Sequence, residues 1–164
     1  SARGTLRALP LSCPEDAMNA NDARIVRLFT VQVDGTVEDN TPNANAQVPD
    51  QFDLILQAEV GAVLGNSGAN YTLTFAAIND DMVTRQVSLN PPGNPFKEEW
   101  NLAGGWIRSG NDFVKTGPGE ADGIMRYRIA IPLGLTGAFH YNVRLVSENF
   151  QVTSFAQSNP FLLV

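Results

Sequence analysis

Phe139-His140-Tyr141-Asn142-Val143-Arg144-Leu145 decides the fold class. Apolar side chains occupy every second position and polar ones fill the gaps. That is the period of a β-strand with one face in a core and one in water. The same period recurs on both sides of it. Phe52, Leu54, Leu56, Ala58 and Val60 form one row against Asp53, Gln57 and Glu59. Tyr71, Leu73, Phe75 and Ala77 alternate with Thr72, Thr74 and Ala76, and Met125, Tyr127, Ile129 and Ile131 with Arg126, Arg128 and Ala130. Val83, Val87 and Leu89 alternate less cleanly, because Arg85 falls in their row. Ile25 to Val33 is apolar on both rows, so it is buried on both faces or carries a bulge. Phe150 to Ala156 and Phe161 to Val164 form a terminal pair split by Ser158-Asn159-Pro160.

Turn formers separate these segments: Asp34-Gly35, Gly65-Asn66-Ser67-Gly68, Asn90-Pro91-Pro92-Gly93-Asn94-Pro95 and Gly117-Pro118-Gly119. Short strands punctuated in this way predict an all-β Greek-key sandwich of about 7–9 strands. A jelly roll is the alternative. Thr36 to Asp50 reads as a long exposed loop, and Asn90 to Glu120 as irregular strands. Ser12 and Glu15 have capping-box spacing, so Pro14 to Asn19 predicts a short helix. The organisation expected is an extended N-terminal arm over 1–23 and one sandwich domain over 24–164.

Composition narrows the function. The chain has 164 residues, of which 43% are hydrophobic and only 17% charged, too apolar for disorder. A net charge of −6 argues against nucleic acid as a principal partner. Cys13 is the only cysteine and His140 the only histidine, which excludes an intrachain disulfide and any two-histidine metal site. No apolar run approaches the length of a transmembrane segment. Pro10 interrupts the short apolar stretch before Cys13, so Ser1 to Cys13 reads as mature chain rather than a leader.

Leu135-Thr136-Gly137-Ala138-Phe139-His140-Tyr141-Asn142-Val143 resembles the entry into the F strand of an immunoglobulin-like sandwich. A small residue leads to an aromatic two positions on, then to alternating apolar residues. Phe139 stands where that family carries its corner tyrosine, and Tyr141 where antibody-type domains carry a cysteine. The resemblance implies a Greek-key sandwich and no activity. It also implies that the segments holding Arg126 and Arg144 belong to different sheets, which keeps like charges from facing each other.

Three constellations carry candidate chemistry. Trp100 and Trp106, with Glu98 and Asn101, have the residue types of a sugar site, where indole stacks on a C–H face and polar groups take the hydroxyls. The competing reading makes one tryptophan a core anchor and the other an edge cap. Asp34, Asp39, Asp80 and Asp81 are the carboxylates that a calcium ion between loops would use, although turn formation alone accounts for them. His140 sits on a polar row and reads as solvated, since no Gly-x-Ser-x-Gly elbow accompanies it.

The catalytic inventory is poor, and the expectation is a non-enzymatic structural or interaction module. Its specific form is a self-assembling subunit of an extracellular or cell-surface filament, or of a capsid-like shell. Its partners are proteins or copies of itself, and it needs no cofactor unless calcium binds. In this reading Leu6, Leu9 and Leu11 of the arm reach a neighbour by strand addition. The alternative is a lectin-like carbohydrate-binding module using Trp100 and Trp106, with or without calcium.

Overall fold

The computed structural model describes residues 19–81, 85–148 and 152–164. The arm residues Leu6, Leu9 and Leu11 and nearly all of the expected helix at 14–19 lie outside the described residues. Two antiparallel sheets face each other, as the alternation predicted. The first contains β1 (Ala23–Val31), β2 (Gln51–Val60), β6 (Trp106–Ser109), β7 (Asp112–Lys115) and β8 (Met125–Ala130). β2 is central, with β1 along one edge and both β8 and the β7–β6 hairpin along the other. The second contains β3 (Asn70–Asn79), β4 (Arg85–Val87), β5 (Phe96–Glu99), β9 (Gly137–Ser147), β10 (Thr153–Gln157) and β11 (Phe161–Leu163). Here β9 and β3 form the long central pair, with β10 and β11 outside β9 and with β4 and β5 outside β3.

Eleven strands are described, more than the 7–9 expected, because the stretch from Asn90 to Glu120 breaks into three short ones. Arg126 on β8 and Arg144 on β9 do fall in different sheets. The only described α-helix, α1 (Ala62–Gly65), is a single turn.

The core follows the periodic rows. Phe52, Leu54 and Leu56 of β2 and Leu73, Phe75, Tyr141 and Val143 of β3 and β9 are all buried between the sheets. Phe161 closes one end, with its ring 5.5 Å from both Phe52 and Tyr141. Each such side chain contributes roughly 1.5–3 kcal/mol by leaving water.

β1 satisfies both readings of its doubly apolar pattern. A bulge falls between Ile25 and Arg27, and beyond it Leu28, Phe29, Thr30 and Val31 are buried in succession. The outward face of β2 departs from the half-buried expectation, since Asp53 and Ile55 are buried there too. Phe29, Val31 and Ile55 make a second small core on that face, capped by Ile124. The loop expected to be exposed at 36–50 is likewise tied down. Asn43 is buried and exchanges two hydrogen bonds with the backbone of Val164, and the Leu162 N–H donates to the Asn40 carbonyl.

Between β5 and β4 the edge of β3 has no strand beside it, and two asparagines take its place. The Asn94 side-chain amide accepts from the Phe75 N–H at 2.7 Å and donates to the Phe75 carbonyl at 3.0 Å. The Asn90 side-chain carbonyl accepts from the Ala77 N–H at 3.0 Å. A run that reads as mere punctuation thus completes a sheet edge with side chains. Asn94→Ala removes both partners of Phe75 at once and is expected to cost about 1–3 kcal/mol in urea unfolding, with little change in the slope of the transition.

Candidate functional site

Outward-facing residues on β2 and β8 build the first polar cluster. Asp53 and Arg128 are direct register partners, and Arg126 lies two positions away on the same face. The Asp53 carboxylate is fully buried, yet it accepts from Arg128 Nε at 2.5 Å and from Arg126 Nη1 at 2.8 Å. A third donor is the Asp34 N–H at 2.7 Å. Asp34 has a φ of 63°, a conformation that aspartate tolerates better than most residues, and this turns the chain back over the carboxylate. Arg126 also holds Glu120 at 3.2 Å, and Arg128 holds the Asp34 carboxylate at 2.9 Å. Burial by itself pushes the Asp53 carboxyl up. Hydrogen bonds from Arg128, the Asp34 N–H and Arg126 outweigh it and hold the group below the usual carboxylate range. Neighbouring carboxylates raise both arginines against their own desolvation.

The second cluster lies inside the opposite end of the sandwich. Lys115 is 3% exposed and donates to Glu98 Oε1 at 2.7 Å and to the Gly104 carbonyl. The Tyr71 hydroxyl donates to the same Glu98 oxygen at 2.5 Å and accepts from Trp106 Nε1 at 3.0 Å. Burial, then the adjacent Glu98 charge, pushes the Tyr71 phenol far up, so it stays neutral and keeps its proton for Glu98. Gly104 is required beside Glu99, because a Cβ there would sit 1.9 Å from the Glu99 carbonyl oxygen.

These placements correct the sugar-site expectation. Trp100 and Trp106 are both buried, with ring centroids 5.1 Å apart, and Tyr71 packs 4.1 Å from Trp100. Neither indole offers a face to a ligand, and neither is an edge cap. Glu98 is the counterion of Lys115. Asn101 caps the short 3-10 turn Leu102–Gly104, accepting from the Gly104 N–H at 3.1 Å. Sequence reasoning passed over Lys115, because a lysine at the end of a strand gives no sign that its ammonium turns inward.

The calcium candidates are dispersed over two loops, each with partners of its own. Asp34 pairs with Arg128, and Asp39 accepts from Thr41 and Gln32. Asp80 bonds His140 Nδ1 at 2.6 Å, and Asp81 accepts from the Ala138 N–H at 3.1 Å. His140 is therefore paired and half-buried rather than solvated. Among the described residues no group of three or more His, Cys, Asp or Glu side chains converges as metal ligands would.

Two surface features remain. An open concavity of about 970 Å³ lies where β3, β5 and β9 meet, lined by residues that include Thr72, Lys97, Glu99, Arg144, Val146 and Glu148. Acids and bases alternate around it, so it favours neither sign of ion. The other is the seam between the sheets, where the Ile25 N–H of β1 donates to Ser154 Oγ of β10 at 2.9 Å. Val26 and Phe155, the next residues in each strand, are 51% and 64% exposed.

No protein-family model matches this chain, and no curated protein matches it. Two solved structures are similar at low level. One is the CooA pilin subunit from enterotoxigenic Escherichia coli, at 13% identity and a TM-score of 0.37, covering 82% of this chain and 99% of that one. The other is a DUF4466 family protein from Parabacteroides merdae, at 9% identity and a TM-score of 0.39, covering 88% of this chain and 46% of that one. At such scores neither bears on function.

Asp53→Asn leaves two arginines facing a neutral amide and is expected to cost about 3–5 kcal/mol at pH 7. Because the native Asp53 value is depressed, its stabilisation is whole above the ordinary carboxylate value of about 4. It is lost as pH falls through the lower native value. Urea midpoints measured from pH 6 to pH 2 should therefore fall less steeply for Asp53→Asn than for the parent. The buried indoles predict a second result: iodide leaves native tryptophan emission almost unquenched, and sugars leave it unchanged.

Proposed function

We propose that this chain is a non-catalytic, self-assembling structural subunit of an extracellular filament or protein shell, whose partners are copies of itself. The observation that carries the reading is the exposure of two apolar side chains, Val26 and Phe155, beside the seam between β1 and β10. Val26 is the extra residue of the β1 bulge, which turns it out of the sheet. The charges on either side of it are already engaged. Arg24 pairs with Glu59, while Arg27 pairs with Glu38 and lies 3.9 Å over the Phe29 ring. An apolar spot whose neighbouring charges are neutralised loses little when a partner covers it.

The engagement of the titratable side chains supports the non-catalytic part. Asp53, Arg126, Arg128, Glu98, Lys115, Asp80 and His140 each hold a structural partner. Light scattering after size exclusion is expected to show mass rising with protein concentration, and electron microscopy to show regular assemblies. Val26→Ser with Phe155→Ser should raise the concentration needed for assembly by tenfold or more, about 1.4 kcal/mol. A parent chain that stays monomeric at every concentration overturns the proposal.

A further inference from the structure

We infer that the free edge of β8 receives the Thr5–Leu11 segment of a second copy as an added strand, an inference that rests on the self-assembly proposed above. β8 pairs with β2 from Met125 to Ala130. On its other side no described backbone or side chain bonds it. Every second residue of β8 therefore points an N–H and a carbonyl at an open edge. The other edge strands differ. β1 and β10 lie alongside each other, β11 is bonded by Asn40, and β4, β5 and β6 have four residues or fewer.

The usual guards of an open edge are missing from β8, which has no proline and no bulge. Its two arginines are held on the outer face by Asp53, Asp34 and Glu120. Its inward row, Tyr127 and Ile129, belongs to the main core, with Phe75 and Phe96 rings 4.9 and 5.3 Å from Tyr127. The Tyr127 hydroxyl is buried and lacks a hydrogen-bond partner among the described residues.

Two observations favour the N-terminal segment of a second copy as the occupant. First, Thr5-Leu6-Arg7-Ala8-Leu9-Pro10-Leu11 places Leu9 and Leu11 in one period-two row, which begins with Thr5 and Arg7. Pro10 falls in the other row, and proline is tolerated in a strand that becomes the new edge. Second, the chain enters β1 from Asn19, and β1 and β8 flank β2 on opposite edges. Donor and acceptor on opposite flanks make a heterologous contact, which propagates into a chain of subunits.

Cys13 is the only cysteine and lies two residues beyond the proposed donor strand, so it serves as the probe. In the full chain, Ala130→Cys puts a second thiol at the exposed end of β8, and Gln157→Cys puts one on exposed β10 as a control. A short bismaleimide is expected to join Cys13 to the β8 thiol between chains at least fivefold more than to the β10 thiol, as read by gel ladder and peptide mass spectrometry. Leu9→Asp with Leu11→Asp should reduce that product tenfold or more while leaving the circular dichroism spectrum unchanged. If the chain assembles but forms no Cys13–β8 link between chains, or forms it only within one chain, the strand-addition inference falls and self-assembly stands. It falls equally if the Leu9→Asp, Leu11→Asp chain assembles like the parent. A parent chain that never assembles overturns both.

Discussion

One buried carboxylate sets the geometry of the first sheet. Asp53 sits on the outward face of β2, fully enclosed, and three donors from two other segments converge on it. An isolated charge at that position would carry a desolvation penalty of several kcal/mol, so β8 must lie where its arginines reach. The register follows. A slip of one residue would turn Arg126 and Arg128 into the core and bring Tyr127 and Ile129 out. The same carboxylate holds the Asp34 turn, which starts the loop packed against β1 and β11. The second small core of Phe29, Val31 and Ile55 lies on that same face.

The second sheet is held by a different device. Its long β3–β9 pair is apolar enough on its inner face to need no charged pin, and its difficulty is the outer edge of β3. Two short strands and two asparagine side chains divide that edge between them. A backbone group at the border of a core needs a partner more than it needs a strand. Asn94 meets that need with an amide of the same donor–acceptor pattern as a peptide.

Low charge has a different meaning once the ion pairs are placed. The cations of β1 and β8, and Lys115, are already committed to acids within the fold. Few charges remain to guard edges and apolar spots. The seam at Val26 and Phe155 and the edge of β8 both stand where a guard would be expected, and these are the two places where we propose that subunits meet.

Alternation by itself determined the fold class, the long strands and most of the core, because a two-residue repeat has only one way to bury its apolar row. Phe52, Phe75, Tyr141 and Val143 were legible in this way, whereas the separation of Arg126 from Arg144 was implied only by the resemblance of residues 135–143 to an immunoglobulin-like strand entry. The roles of Asp53, Lys115, Trp100 and Trp106 were decided only by tertiary structure. Periodicity assigns a residue to a row but says nothing of what covers that row. Asp53 is buried because β8 and the Asp34 turn close over it, and Lys115 because its ammonium finds Glu98 and a carbonyl inside. The tryptophans lose their faces because the turn from Asn101 to Gly105 folds both indoles against Tyr71. Each outcome depends on partners 11 to 75 residues away in the chain, beyond the reach of any local pattern.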